Sequence, residues 1–114
     1  MNISIFGLGY VGSVSAVCLA KEGNEIIGVD VNPEKAKMIT GGKSPIVEKE
    51  MDRLIQETVR NGRFKTTTSS LEAVSKTDLS LICVGTPSRD NGSINLDYLK
   101  RCSQEIGKAL RSKI

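Results

Sequence analysis

Six residues near the start of the chain restrict its fold more than any other stretch: Gly7-Leu8-Gly9-Tyr10-Val11-Gly12. Glycines so closely spaced interrupt regular structure, yet these stand between two segments of different periodicity. Before them, Ile3-Ser4-Ile5-Phe6 is a short β-rich run; after them, Val11, Val14, Val17 and Cys18 recur at the spacing of neighbouring helix faces. The order is strand, tight turn, helix. A helix that packs back on the sheet it has just left returns the chain to start a parallel strand.

The rest of the sequence repeats that rhythm. Gly23, just past Lys21 and Glu22, is free to take the left-handed conformation that ends a helix, and Glu25-Ile26-Ile27-Gly28-Val29 then reads as a second strand ending at Asp30. Asn32-Pro33-Glu34 starts a helix: Asn caps free N–H groups, Pro suits the first position, and Glu suits the positive end of the dipole. Gly41-Gly42 ends it. A Ser-Pro loop spans Lys43 to Glu48, and Met51, Leu54, Ile55 and Val59 mark a third helix up to Asn61-Gly62. Phe64 to Thr68 reads as a short strand, and Ser69 with Glu72 three residues on is a capping box for a helix through Val74.

Leu79-Ser80-Leu81-Ile82-Cys83-Val84 is nearly continuous in apolar residues, as expected of a strand covered by helices on both faces. It runs into Gly85-Thr86-Pro87. Asn91-Gly92 then makes a turn, and Asn95 is placed to cap a last helix with Leu99, Cys102, Ile106 and Leu110 in one apolar stripe. Strands alternating with helices predict an α/β fold, a Rossmann-type doubly wound parallel sheet with strand order 3-2-1-4. A full sheet of this type has about six strands, so residues 1–114 are expected to be one truncated domain.

Composition removes other options. A chain of 114 residues can bury one core without staples. The net charge of +3 is spread from Lys21 to Lys113, and with aromatics at 4% there is no basic stripe with interleaved rings to hold nucleic acid. The absence of histidine excludes imidazole metal sites and histidine general bases. Cys18, Cys83 and Cys102 each fall in apolar segments without C-x-x-C spacing, which reads as small buried hydrophobes in a reducing cytoplasm. Residues 1–20 carry no charge, but they lack a basic leader and are broken by Gly7, Gly9 and Gly12, so no membrane span or secretory signal is expected.

The glycine loop carries the chemistry. Gly7 permits the tight turn, Gly9 lets the backbone approach a pyrophosphate, and Gly12 allows close packing of helix on strand. The helix N-terminus beyond them offers free N–H groups and partial positive charge to the diphosphate. Asp30, 18 residues after Gly12, can accept hydrogen bonds from both adenosine ribose hydroxyls and would repel the extra phosphate of NADP, which points to NAD. FAD and S-adenosylmethionine sites share part of this logic, and the same glycines also suit a plain turn. Lys35, one turn into the second helix, could reach a ribose or phosphate or simply face solvent. Thr86, at the carboxyl end of the strand expected beside the first, stands at the topological switch point where ligands bind such sheets, and it also suits an ordinary turn.

Taken together, Ile5-Phe6-Gly7-Leu8-Gly9-Tyr10-Val11-Gly12, Gly28-Val29-Asp30, Gly42-Lys43-Ser44-Pro45-Ile46-Val47-Glu48 and Ile82-Cys83-Val84-Gly85-Thr86-Pro87 resemble the N-terminal domain of the UDP-glucose/GDP-mannose dehydrogenase family. The resemblance runs in the right order along essentially the whole chain. Ser44 to Glu48, Ser88 and the stretch from Asn91 through Tyr98 follow its GDP-mannose branch more closely than its UDP-glucose branch. One departure stands out: where the family commonly has Pro-Gly after the loop glutamate, this chain has Lys49-Glu50.

The resemblance implies a four-electron, NAD-dependent oxidation of a nucleotide-sugar primary alcohol to a carboxylate for polysaccharide synthesis, in an enzyme that works as a homodimer. It implies catalytic and substrate domains beyond residue 114, with a cysteine nucleophile there. None of Cys18, Cys83 or Cys102 matches that nucleophile's motif, so no catalytic residue is assigned in this chain, and a UDP-glucose 6-dehydrogenase or a non-catalytic NAD-binding module stays open as the alternative reading. The implied cofactor contacts are Gly7, Gly9, Tyr10, Val11 and Gly12 through the backbone, Asp30 and Lys35 at the adenosine end, and Thr86 near the other half.

Overall fold

The computed structural model describes residues 1–85, 92 and 96–113. Strands β1 (Asn2–Phe6), β2 (Glu25–Val29), β3 (Phe64–Thr67) and β4 (Leu79–Ile82) pair in parallel in the order β3-β2-β1-β4, the order that the alternating pattern predicts. The helices are α1 (Tyr10–Lys21), α2 (Pro33–Thr40), α3 (Met51–Arg60), α4 (Ser70–Ser75) and α5 (Asp97–Ser112).

The period of two along the strands divides the core in two layers. Ile3 and Ile5 of β1, Ile26 of β2 and Phe64 of β3 pack with Ala16, Val17 and Ala20 of α1, Ile39 of α2, and Met51 and Ile55 of α3. Phe6 and Val29 face the other way, onto Ala73 and Val74 of α4 and Cys102 and Ala109 of α5. Ser4 also lies on that second face, fully buried; its hydroxyl meets Ser80 Oγ at 2.7 Å and accepts from Thr77 Oγ1 at 3.1 Å. The registers Phe6↔Val29, Phe6↔Ile82 and Val29↔Thr67 bring the carboxyl ends of all four strands level.

Most helix boundaries follow their punctuation. Asn32 Oδ1 accepts from Glu34 N at 3.0 Å with Pro33 in first position, and Ser69 Oγ accepts from Glu72 N at 3.1 Å. The capping box is only half formed, because Thr67 intervenes: its hydroxyl accepts from Ser69 N and donates to Glu72 Oε2 at 2.9 Å. At the far end of α5, Lys113 Nζ donates to the carbonyls of Val74 and Thr77, closing the last turn of α4.

Five expectations need correction. The last strand stops at Ile82 rather than Val84, and it is an outer strand with Leu79 46% and Ile82 41% exposed, because β1 is its one partner among the described residues. Cys18 is exposed, whereas Cys83 is half-buried and Cys102 is buried. Helix α1 is apolar almost all round, so its pattern does not choose a face; the buried stripe is the small set Gly12, Ser13, Ala16, Val17 and Ala20. The N-cap of α5 is Leu96, without a side-chain acceptor; Asn95 lies outside the described residues. Finally, Leu110 is half exposed and Ala109 takes the buried position beside it.

Candidate functional site: a cleft over the glycine loop

A cleft of about 640 Å³ opens at the carboxyl ends of β1, β2 and β4. The glycine loop forms its floor, and two of the three glycines are demanded by the chain's own packing. Gly7 has φ +99°, and a Cβ there would fall 2.7 Å from the Cys83 carbonyl oxygen. A Cβ on Gly12 would stand 1.7 Å from the carbonyl oxygen of Gly7. Gly9 is different: nothing in the chain lies within 4 Å of where its Cβ would be. The open space there is what a close approach by an outside group requires.

Gly9 is also the N-cap of α1. It offers no side-chain acceptor, and the first turn holds no acidic residue, so the helix presents uncompensated N–H groups and its positive pole to the cleft. Tyr10 and Val11 begin the helix with exposed side chains, 59% and 62%, and line the cleft beside Gly9.

Asp30 stands at the other end of the floor with its side chain only 9% exposed. Its Oδ2 accepts from Leu8 N at 2.8 Å and its Oδ1 from Asn32 N at 2.9 Å. Lys35 Nζ lies 4.0 Å from Oδ2. The structure therefore gathers Gly7, Gly9, Tyr10, Val11, Asp30 and Lys35 around one cleft, with Gly12 packed directly beneath. Thr86 lies outside the described residues.

Sequence reasoning missed the opposite wall. Tyr98, Arg101, Cys102 and Glu105 of α5 line the cleft, facing Val31 and Asn32 from the tip of β2. Their signal was present: residues 98, 101, 102 and 105 share one helix face, and the 3-2-1-4 order brings the helix after β4 beside β1. Burial raises the pKa of the Cys83 thiol, and burial together with the charge of Glu105 raises that of Cys102 to about 11. Both thiols in the cleft are therefore neutral near pH 7. Among the described residues no three His, Cys, Asp or Glu side chains cluster to hold a metal ion, and no helix is long and apolar enough to cross a membrane.

A parallel sheet in this order, with a glycine loop opening a helix and an acidic residue at the tip of the next strand, defines a dinucleotide-binding domain of the Rossmann type. The whole chain, residues 1–114, matches the NAD-binding domain of the UDP-glucose/GDP-mannose dehydrogenase family. The chain belongs to that family, and its cofactor is NAD. It is 52% identical over 113 residues to GDP-mannose 6-dehydrogenase of Azotobacter vinelandii, covering 99% of this chain and 26% of the relative. UDP-glucose 6-dehydrogenase of Rhizobium meliloti is 38% identical over 112 residues, covering 97% of this chain and 26% of that protein. The crystal structure of a ternary complex of GDP-mannose dehydrogenase from Pseudomonas aeruginosa superposes with a TM-score of 0.97 at 51% identity, covering 99% of this chain and 26% of the other. The chain thus spans about a quarter of the length of these relatives.

Proposed function

We propose that this chain is the NAD-binding part of a GDP-mannose 6-dehydrogenase that oxidises the sugar's primary alcohol to a carboxylate in two hydride transfers. It would operate in the cytoplasm, as a homodimer, with catalytic and substrate domains outside residues 1–114. In this reading the chain binds and orients the cofactor and supplies no catalytic residue. NAD, when bound, supplies the hydride acceptor.

The observation that carries the reading is the open space over Gly9 at the uncapped N-terminus of α1, with Asp30 at the far end of the same floor. The diphosphate would lie over Gly9 and accept from the backbone of Tyr10 and Val11; Gly7 and Gly12 would hold the loop in that shape. Asp30 would receive the ribose hydroxyls on the acceptor capacity its two backbone bonds leave free, and Lys35 would bind beside it. Thr86 would contact the other half of the cofactor. The GDP-mannose branch is favoured over the UDP-glucose branch by 52% against 38% identity in the relatives compared.

A thermal-shift titration with NAD, NADP and S-adenosylmethionine in parallel tests the binding role. Selective stabilisation by NAD is expected; no shift, or a shift with S-adenosylmethionine instead, would overturn it. Turnover of GDP-mannose, UDP-glucose and a panel of hydroxy acids by the protein extended beyond residue 114 tests the substrate, and oxidation of hydroxy acids alone would refute it.

A further inference from the structure

We propose that Leu8 and Ser13 are positioning residues of the NAD site: Ser13, Asp30 and the slot above Gly28 hold Leu8 from three sides and thereby aim the Gly9 N–H at the cofactor's diphosphate. The inference rests on the NAD-binding reading and adds two residues that the glycine pattern leaves unspecified. The Leu8 N–H donates to Asp30 Oδ2 at 2.8 Å. Its carbonyl accepts from Ser13 Oγ at 2.9 Å, and Ser13 is wholly buried. Its side chain, also wholly buried, fills the space that glycine leaves at position 28; a Cβ there would come within 2.8 Å of Leu8 Cδ2 and 3.1 Å of Phe64 Cε1.

These anchors come from separate elements. The slot at Gly28 lies within β2 and the acceptor Asp30 just past its end, while Ser13 reaches back from the first turn of α1. Leu8 needs such anchors because both its neighbours are glycines, the residue with the largest conformational freedom. Peptide planarity then transmits the constraint: fixing the Leu8 carbonyl fixes the plane of the Leu8–Gly9 peptide and with it the direction of the Gly9 N–H. A donor aimed before the ligand arrives costs no ordering on binding, so loosening the peptide weakens affinity without removing any ligand contact.

The test compares the wild-type chain with Ser13→Ala, Gly28→Ala and the double variant Leu8→Val/Gly28→Ala, which moves bulk from residue 8 to residue 28. Two quantities are read: the Kd for NAD by calorimetry, and the exchange rate of the Leu8 amide in ligand-free protein by NMR. Each single variant is expected to raise Kd about tenfold and to speed exchange at Leu8 while the amides of β1 and β2 stay protected; the double variant should recover most of the affinity lost by Gly28→Ala. Unchanged exchange at Leu8 in Ser13→Ala, or a uniform rise across the sheet, would overturn the proposal, the latter because it reports lost stability rather than lost aim. If the wild-type chain bound no NAD, the functional reading would fall, and the Leu8 exchange pattern would still decide whether the loop is held as described.

Discussion

Glu50 has φ +69°, the one positive φ borne by a residue other than glycine among the described residues. A side chain there crowds the following carbonyl at a cost of about 1–2 kcal/mol, partly offset by the extra freedom glycine would bring to the unfolded chain. The resemblance implies glycine here, the residue that takes this conformation without a Cβ cost, and Lys49-Glu50 puts a side chain in its place. Glu50→Gly is expected to raise stability by about 1 kcal/mol, read as a higher urea midpoint with an unchanged slope.

Asp30 holds Leu8 and Asn32 and, in the proposed role, the ribose. Asp30→Ala should weaken NAD by about 2 kcal/mol, roughly thirtyfold in Kd, and narrow the preference over NADP, since the repulsion of the extra phosphate leaves with the carboxylate. Calorimetry with both cofactors checks this; an unchanged preference would refute the assignment. Cys102 adds a pH dependence. Its thiol is raised from 9.0 to about 11 in the fold, so the folded state holds that proton more tightly than the unfolded chain. The stability from this group is fully present below pH 9 and is lost as pH rises through about 11, so the urea midpoint should fall across that range, and fall less in Cys102→Ala.

At the scale of elements, punctuation was more legible than faces. Asn32, Pro33, Gly23 and Gly42 act locally, through a cap or a positive φ, and each stands where its chemistry predicts. The faces of α1 were not legible, because a helix with apolar residues all round carries no amphipathic signal, and the close approach that selects Gly12, Ser13 and Ala16 is a tertiary fact. The exposure of β4 was hidden for a similar reason, since an apolar run records what a strand tolerates and not how many neighbours it has. Lys113 likewise finds its acceptors 39 and 36 residues back along the chain, beyond any local pattern. Lys113→Met keeps the aliphatic stem and removes the donor, leaving two carbonyls at the end of α4 without it. A loss of about 1 kcal/mol is expected by denaturant titration, with amide exchange rising first at the end of α4.

For the molecule as a whole, the strand order was readable from alternation because parallel strands need crossovers and the helices had to go somewhere. The floor of the cleft was readable for the same reason that the fold was: Gly7 and Gly12 are needed to turn and pack the chain, and Gly9 leaves the space above them open. Its far wall carries no local motif: it is found only when the strand order and the shared face of residues 98, 101, 102 and 105 are put together. Ligand binding should show at this scale too: NAD at about 100 times its Kd adds roughly 2.7 kcal/mol to the free energy of unfolding, a shift well within reach of a melting curve.

The contact of Gly12 with the Gly7 carbonyl couples two letters of one short motif through space. A side chain at position 12 has no accommodating change at position 7, because the obstacle is main chain and every amino acid brings the same carbonyl. Descent can therefore vary the residues between these glycines, where pressures such as Leu8's anchoring apply, but it cannot trade one of the pair against the other.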